Sequence, residues 1–197
     1  NLKKLRKKIK TDHELALRLW RTGNHDARVL ATMIADPAQA TARLVNDWAK
    51  DLSNYVITDA FANFASQTRQ AQKKMEQWTK TPAEWKGTAG WNLLAILAMQ
   101  DEELPDEYFE AYLETIQRDI HTRKNRVRHA MNGALVAIGI RNDNLKAKAL
   151  DAARAIGKVE VDHGETSCKT PDAADYIEKT WQHRKKTGKR GRSPTPC

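Results

Sequence analysis

At 197 residues the chain is long enough for one domain, or two small ones, with a real core. Its composition, 40% hydrophobic and 30% charged, is that of a globular protein, and no apolar run approaches the roughly 20 residues of a membrane helix. The net charge is +9, but the ends hold most of it: residues 1–10 carry six Lys/Arg and residues 184–197 six more, with no acid in either, whereas 11–183 hold 22 basic against 25 acidic residues.

An inner basic cluster, RDIHTRKNRVRH (118–129), has five Lys/Arg and two His against Asp119 alone. Charge by itself leaves two readings: an anionic partner, of which phosphate is the usual one, or a solvated surface. Two cysteines, Cys168 and Cys197, make no disulfide framework, and from Asn1 onward there is no secretory pattern. A reducing cytoplasm is the expected setting. Nothing calls for an oligomer, so a monomer is expected.

In chain order, helical periodicity dominates. DHELALRLWRT (12–22) puts Leu15, Leu19 and Trp20 on one side. After Gly23-Asn24, HDARVLATMIAD (25–36) repeats the pattern with Val29, Leu30, Met33 and Ile34. Pro37 is read as opening the next helix, which runs through Leu44, Val45 and Trp48. Ser53 or Asn54 can cap the helix that holds YVITDAF (55–61). TPAEWKGTAGWNLLAILAMQ (81–100) begins with Thr-Pro followed by an early acid, a start signal.

Pro105 starts DEYFEAYLETIQRDI, and KNRVRHAMNGALVAIGI (124–140) follows as another helix. DNLKAKALDAARAIG (143–157) is closed by Gly157, and TPDAADYIEKTW (170–181) is the last helix. KVEVD (158–162) alternates but is too short for a sheet. The expectation is all-α: nine or ten helices in sequence pairs with short joints, a HEAT-like or armadillo-like α-α superhelix or an irregular bundle. One helical domain is expected over 1–183, with 184–197 a disordered basic tail.

Motifs of common cofactor and nucleophile chemistry are missing: there is no P-loop, GxGxxG, nucleophile-elbow serine or HExxH. Asp162, His163, Glu165 and Cys168 sit close together, but one Cys and one His lack the second pair a zinc site wants, so no metal is expected. His163, Glu165 and Lys169 are read instead as satisfying loop backbone. Trp20, Trp48 and Trp91 fall on core faces.

Asp59 raises a sharper question, because a helix burying Ile57 and Phe61 gains nothing from a charge among them. Tyr55 lies four residues earlier, on the same face. Either the pair holds a base or sugar beside a negative charge, or Asp59 caps or pairs with a neighbouring helix.

Four stretches resemble the bacterial DNA alkylation repair proteins of the AlkD/AlkC type, the HEAT-like-repeat DNA glycosylases. They are HELALRLWRTGNHDARVLATMIADP (13–37), Trp48 to Phe61 ending in YVITDAF, NRVRHAMNGALVAIG (125–139) and GKVEVDHGETSCKTPDAADYI (157–177), the first and last being the most specific. The resemblance implies an α-superhelix with a basic concave cleft for duplex DNA. It places Asp59 as the catalytic carboxylate, Tyr55 beside it where Trp is common, and Trp85 and Lys86 near the substrate. It makes Arg123, Lys124, Arg126 and Arg128 the phosphate contacts. The implied reaction is excision of purines made cationic by alkylation at N3 or N7, with no cofactor.

The chain also departs from the family pattern. Gly133 and Val136 stand where a second cleft Trp and an Arg are expected, and Thr88 where an Arg is usual. The readings carried forward are an N-glycosylase, a HEAT-like scaffold binding nucleic acid or protein without the chemistry, and a protein-interaction adaptor.

Overall fold

The computed structural model describes residues 2–187. Among them are eleven α-helices: α1 (Leu2–Ile9), α2 (His13–Arg21), α3 (His25–Ile34), α4 (Ala42–Lys50), α5 (Tyr55–Ala65), α6 (Ala71–Trp78), α7 (Glu84–Gln100), α8 (Asp106–Asp119), α9 (Asn125–Gly139), α10 (Asp143–Ile156) and α11 (Ala173–Thr187). No strand occurs among the described residues, and no helix there is long and apolar enough to cross a membrane.

Helix starts follow local chemistry. Asp12, Asn24, Thr41, Asn54 and Asn142 each accept, through the side chain, a backbone N–H three residues on. Asn54, not Ser53, is therefore the cap that opens α5. Pro37 does not open α4: it begins a 3-10 turn, Pro37–Gln39, and the helix starts only after the Thr41 cap. Gly157, at φ +66°, ends α10 in a backbone conformation that side-chain-bearing residues rarely adopt.

Two helices were not read from the sequence. In α1 the charge run masks an apolar stripe of Leu2, Leu5 and Ile9. In α6 the pattern Ala71, Met75, Trp78 has no start signal, because Gln70 makes no side-chain cap. The last helix also runs further than expected, through Thr187, so residues 184–187 of the predicted tail are helical. Residues 188–197 of that tail lie outside the described residues.

The chain divides into two compact units, Asn1–Leu93 and Leu94–Cys197. The first is built on aromatic rings. Trp20 and Trp48 stack with centroids 4.1 Å apart and planes 3° from parallel, and Phe61 bridges toward Trp78 at 5.8 Å. Such contacts add roughly 0.5–1.5 kcal/mol each to the burial of large rings. Asp51 ties the edge of this core, accepting from Trp20 Nε1 at 2.8 Å and from Arg28 at 3.0 Å.

The core of the second unit is mainly aliphatic. Phe109, Ile116, Met131, Leu135, Ile138, Leu145 and Ile177 are buried where α8 to α11 meet. Gly139 makes the closest approach: a Cβ there would stand 2.5 Å from Ile177 Cδ1 and 2.8 Å from Ala149 Cβ. Arg141 donates to the carbonyls of Ala98, in the last turn of α7, and of Asp101 and Leu104 in the loop that follows, and its guanidinium lies over the Phe109 ring.

Candidate functional site

On α5 the buried face is Ile57, Thr58, Phe61, Ala62, Phe64 and Ala65, while Val56 is 39% exposed. Tyr55 and Asp59 are half-buried at the margin between, and Asn63 continues the same stripe one turn further. Asn63 donates to the Asp59 carbonyl at 2.9 Å. The Asp59 carboxylate does not lie idle at the surface: its Oδ1 accepts from Asn92 Nδ2, on α7, at 2.7 Å.

Asn92 is a neutral amide donor, so this bond orients the carboxylate without adding a charge to it. Asn92 was not singled out from the sequence. Its signal was there, a lone amide inside WNLLAILAM, the same kind of anomaly as the aspartate in YVITDAF.

One turn before Asn92 on α7 lies Thr88, 3% exposed, whose hydroxyl has no hydrogen-bond partner among the described residues. Trp85 and Lys86 occupy the start of the same helix, both half-buried. Lys74, on α6, is only 5% exposed and reaches Gln77 Oε1 at 3.3 Å. Burial, and then the charges of Lys73 and Lys86, hold its ammonium pKa below the ordinary lysine value.

In the second unit, Arg118 is neutralised by Asp119 through two bonds of 2.7 and 2.9 Å. Lys124 is exposed at the start of α9, and Arg123 lies close enough to help hold the Asp119 carboxyl low, after the larger effect of Arg118. Arg128 is half-buried and directed to Asn125 Oδ1 at 3.4 Å. Arg126 turns to the loop that follows α10, its guanidinium 3.4 Å from His163 Nδ1. Of the four expected phosphate contacts, Lys124 is thus the one whose residue is exposed rather than half-buried.

That loop belongs to GKVEVDHGETSCKTPDAADYI (157–177), and it is clamped along one face of α9. Asn125 exchanges two bonds with the Asp162 backbone, at 2.7 and 2.8 Å, and Asn132 donates to the Pro171 carbonyl at 3.0 Å. Between them, Thr170 Oγ1 lies 2.9 Å from His163 Nε2 and 3.2 Å from His129 Nδ1, and the two imidazoles meet edge to face.

Donor chemistry sets the direction of this chain. An arginine can only donate, so His163 Nδ1 accepts, and its protonated Nε2 donates to Thr170. The Thr170 hydroxyl then donates to His129 Nδ1. Both imidazoles are neutral in that arrangement. Burial, followed by the Arg126 charge, lowers the pKa of each, that of His129 to about 4. The expectation that His163, Glu165 and Lys169 satisfy loop backbone is corrected: His163 bonds side chains, and Glu165 and Lys169 are exposed. Among the described residues no three of His, Cys, Asp and Glu stand close enough to hold a metal.

The family's other expected positions fall differently. Val136 is wholly buried, so that position is part of the core of its unit. Gly133 is half-exposed, and a Cβ there would meet nothing within 4 Å.

A family model described as DNA alkylation repair enzyme matches residues 1–177. This chain belongs to the DNA alkylation repair enzyme family. It is 32% identical over 183 residues to an uncharacterised protein of Listeria innocua, covering 91% of this chain and 80% of that one, and equally to one of Listeria monocytogenes. A solved structure, from a family described as related to the HEAT-like repeat DNA glycosylases with affinity for branched DNA structures, matches with TM-score 0.86 and 29% identity. The match covers 100% of this chain and 84% of that one. The fold is therefore the all-α, HEAT-like one that the sequence periodicity and resemblance led us to expect.

Proposed function

We propose that this chain is a DNA-binding repair protein in which Asp59 promotes loss of cationic N3- or N7-alkylated purines from duplex DNA. The observation that carries the reading is the Asp59 carboxylate, half-buried one turn along α5 from Tyr55 and held by Asn92 at 2.7 Å. An alkylated purine is already a good leaving group, so the glycosidic bond needs little acid catalysis. A fixed carboxylate stabilises the oxocarbenium charge that develops on the sugar and orients the attacking water. A tyrosine ring one turn away adds cation–π attraction of about 0.5–2 kcal/mol. The chemistry asks for no metal or organic cofactor.

Lys124, with Arg123 and Arg128, supplies phosphate contacts that position the duplex without reading its sequence. The protein works as a monomer in the cytosol beside the chromosome.

A second reading, DNA binding without excision, is favoured by the absence of the expected Trp and Arg: Gly133 has no side chain, and Val136 and Thr88 are buried. Affinity for branched DNA belongs with that reading.

Single-turnover incubation with duplex DNA carrying one 7-methylguanine separates the two. Abasic-site formation that collapses in Asp59→Asn supports excision. No release by the wild type, with tight binding to a four-way junction that Asp59→Asn retains, supports the second reading and removes the first for this lesion.

A further inference from the structure

No acid among the described residues neutralises the charge of α1 or of Lys10 just beyond it. Lys3, Lys4, Arg6, Lys7, Lys8 and Lys10 are all exposed, and no ion pair to an acid holds any of them among the described residues. On the helix surface Lys3 faces Lys7 and Lys4 faces Lys8, one turn apart, a spacing at which like charges repel. Cations in the last turn complement the helix dipole, which gives Arg6, Lys7 and Lys8 a local role but not Lys3 or Lys4.

The helix is nevertheless presented from a fixed point. Lys10 closes it by donating its N–H to the Arg6 carbonyl at 2.8 Å, and its φ of +64° is the left-handed conformation that favours glycine. Two residues on, Asp12 N–H is fastened to the Ile34 carbonyl at the end of α3, again at 2.8 Å. The chain thus keeps a cation at a position where glycine would fit with less strain.

The apolar stripe is too slight for a lipid surface: Leu2 and Ile9 are half-buried, and only Leu5, at 44%, is open. A row of cations on a short helix, with no acid partner among the described residues, fits a polyanion with regularly spaced charge. We infer that α1 is a phosphate-binding arm of the first unit that grips a nucleic-acid backbone independently of Lys124 and its neighbours in the second. The inference rests on the DNA-binding reading above, and it adds a second surface for the phosphate backbone to it.

The test uses the full chain and an undamaged 20-base-pair duplex, followed by fluorescence anisotropy between 50 and 200 mM NaCl. The variant Lys3→Gln/Lys4→Gln/Lys7→Gln/Lys8→Gln alters exposed side chains only, and an unchanged circular-dichroism melt confirms its fold. Each phosphate contact removed should shallow the slope of log affinity against log salt by about 0.9, so removal of two or three should shallow it by about 2 to 3. With two phosphates released, raising the salt from 50 to 200 mM should weaken the wild type about tenfold more than it weakens the variant. Adding Lys124→Gln should shallow the slope further by about the amount it does alone, as independent surfaces require.

An unchanged slope in the quadruple variant, with wild-type binding intact, would overturn the role of α1 and leave the DNA reading standing. An unchanged slope combined with abolished binding to phosphatidylserine vesicles would overturn it in favour of a membrane surface. Wild-type protein that shows no salt-sensitive DNA binding would overturn both this inference and the function it rests on.

Discussion

The two imidazoles clamped by Thr170 make the stability of the second unit fall in mild acid. His129 has a native pKa of about 4 against 6.5 for the free side chain. As pH falls, the unfolded chain takes up this proton first, so the native state loses stability through the window from 6.5 down to 4, and above 6.5 the contribution is fully present. For a single site with those values, the loss between pH 8 and pH 5 is about 2 kcal/mol, and it approaches about 3 kcal/mol below pH 4. The direction holds for His163 as well, whose pKa is also lowered.

The physical cause is local. A charged His129 would be desolvated beside the Arg126 guanidinium and would place an N–H where Thr170 now donates. Urea unfolding at pH 8 and pH 5 measures the effect, with His129→Asn as the comparison, since the asparagine oxygen can accept from Thr170 but does not titrate. The wild type should lose about 2 kcal/mol more than the variant between the two pH values. Equal losses, or an imidazole that titrates by NMR near 6.5 in the folded protein, would refute the reasoning.

Gly139→Ala should destabilise by about 1–3 kcal/mol, because its methyl would meet Ile177 and Ala149 below 3 Å, whereas Gly133→Ala should stabilise by about 0.5–1 kcal/mol, since the site is open and alanine restricts the unfolded chain; thermal melts of the pair give opposite signs if this is right. Thr88→Val removes a buried hydroxyl that has no partner among the described residues and should raise the unfolding free energy by about 1 kcal/mol, readable from the urea midpoint. On the proposed excision reading, Asn92→Ala, which removes one amide donor from the Asp59 carboxylate, should slow single-turnover release of 7-methylguanine ten- to hundredfold, the roughly 1.5–3 kcal/mol of a hydrogen bond to a charged group, while leaving duplex affinity as it was.

What the sequence determined by itself is the class of fold and the address of its oddest residues. A period of 3.6 in the apolar positions, interrupted by turn and capping residues, is a local property, and it located α2 to α5 and α7 to α11, although α4 starts five residues after Pro37 and α11 ends six after Trp181. The same logic marked Asp59 as a charge in an apolar run and set Tyr55 one turn before it. Where the local signal was weak, as at the uncapped α6 or the lysine-rich α1, the helix went unread.

Only the tertiary structure decided what the polar groups meet. Periodicity records which face of a helix is apolar, but the partner of a side chain depends on which element packs against that face. So Asp59 meets Asn92 33 residues away, and His129 meets Thr170 41 residues away. For the same reason Arg126, one of five cations in a basic run, turned out to face a loop of its own protein, while the six cations of residues 1–10 found no acid among the described residues. Charge is written in the sequence, but whether the protein itself neutralises it is decided by packing.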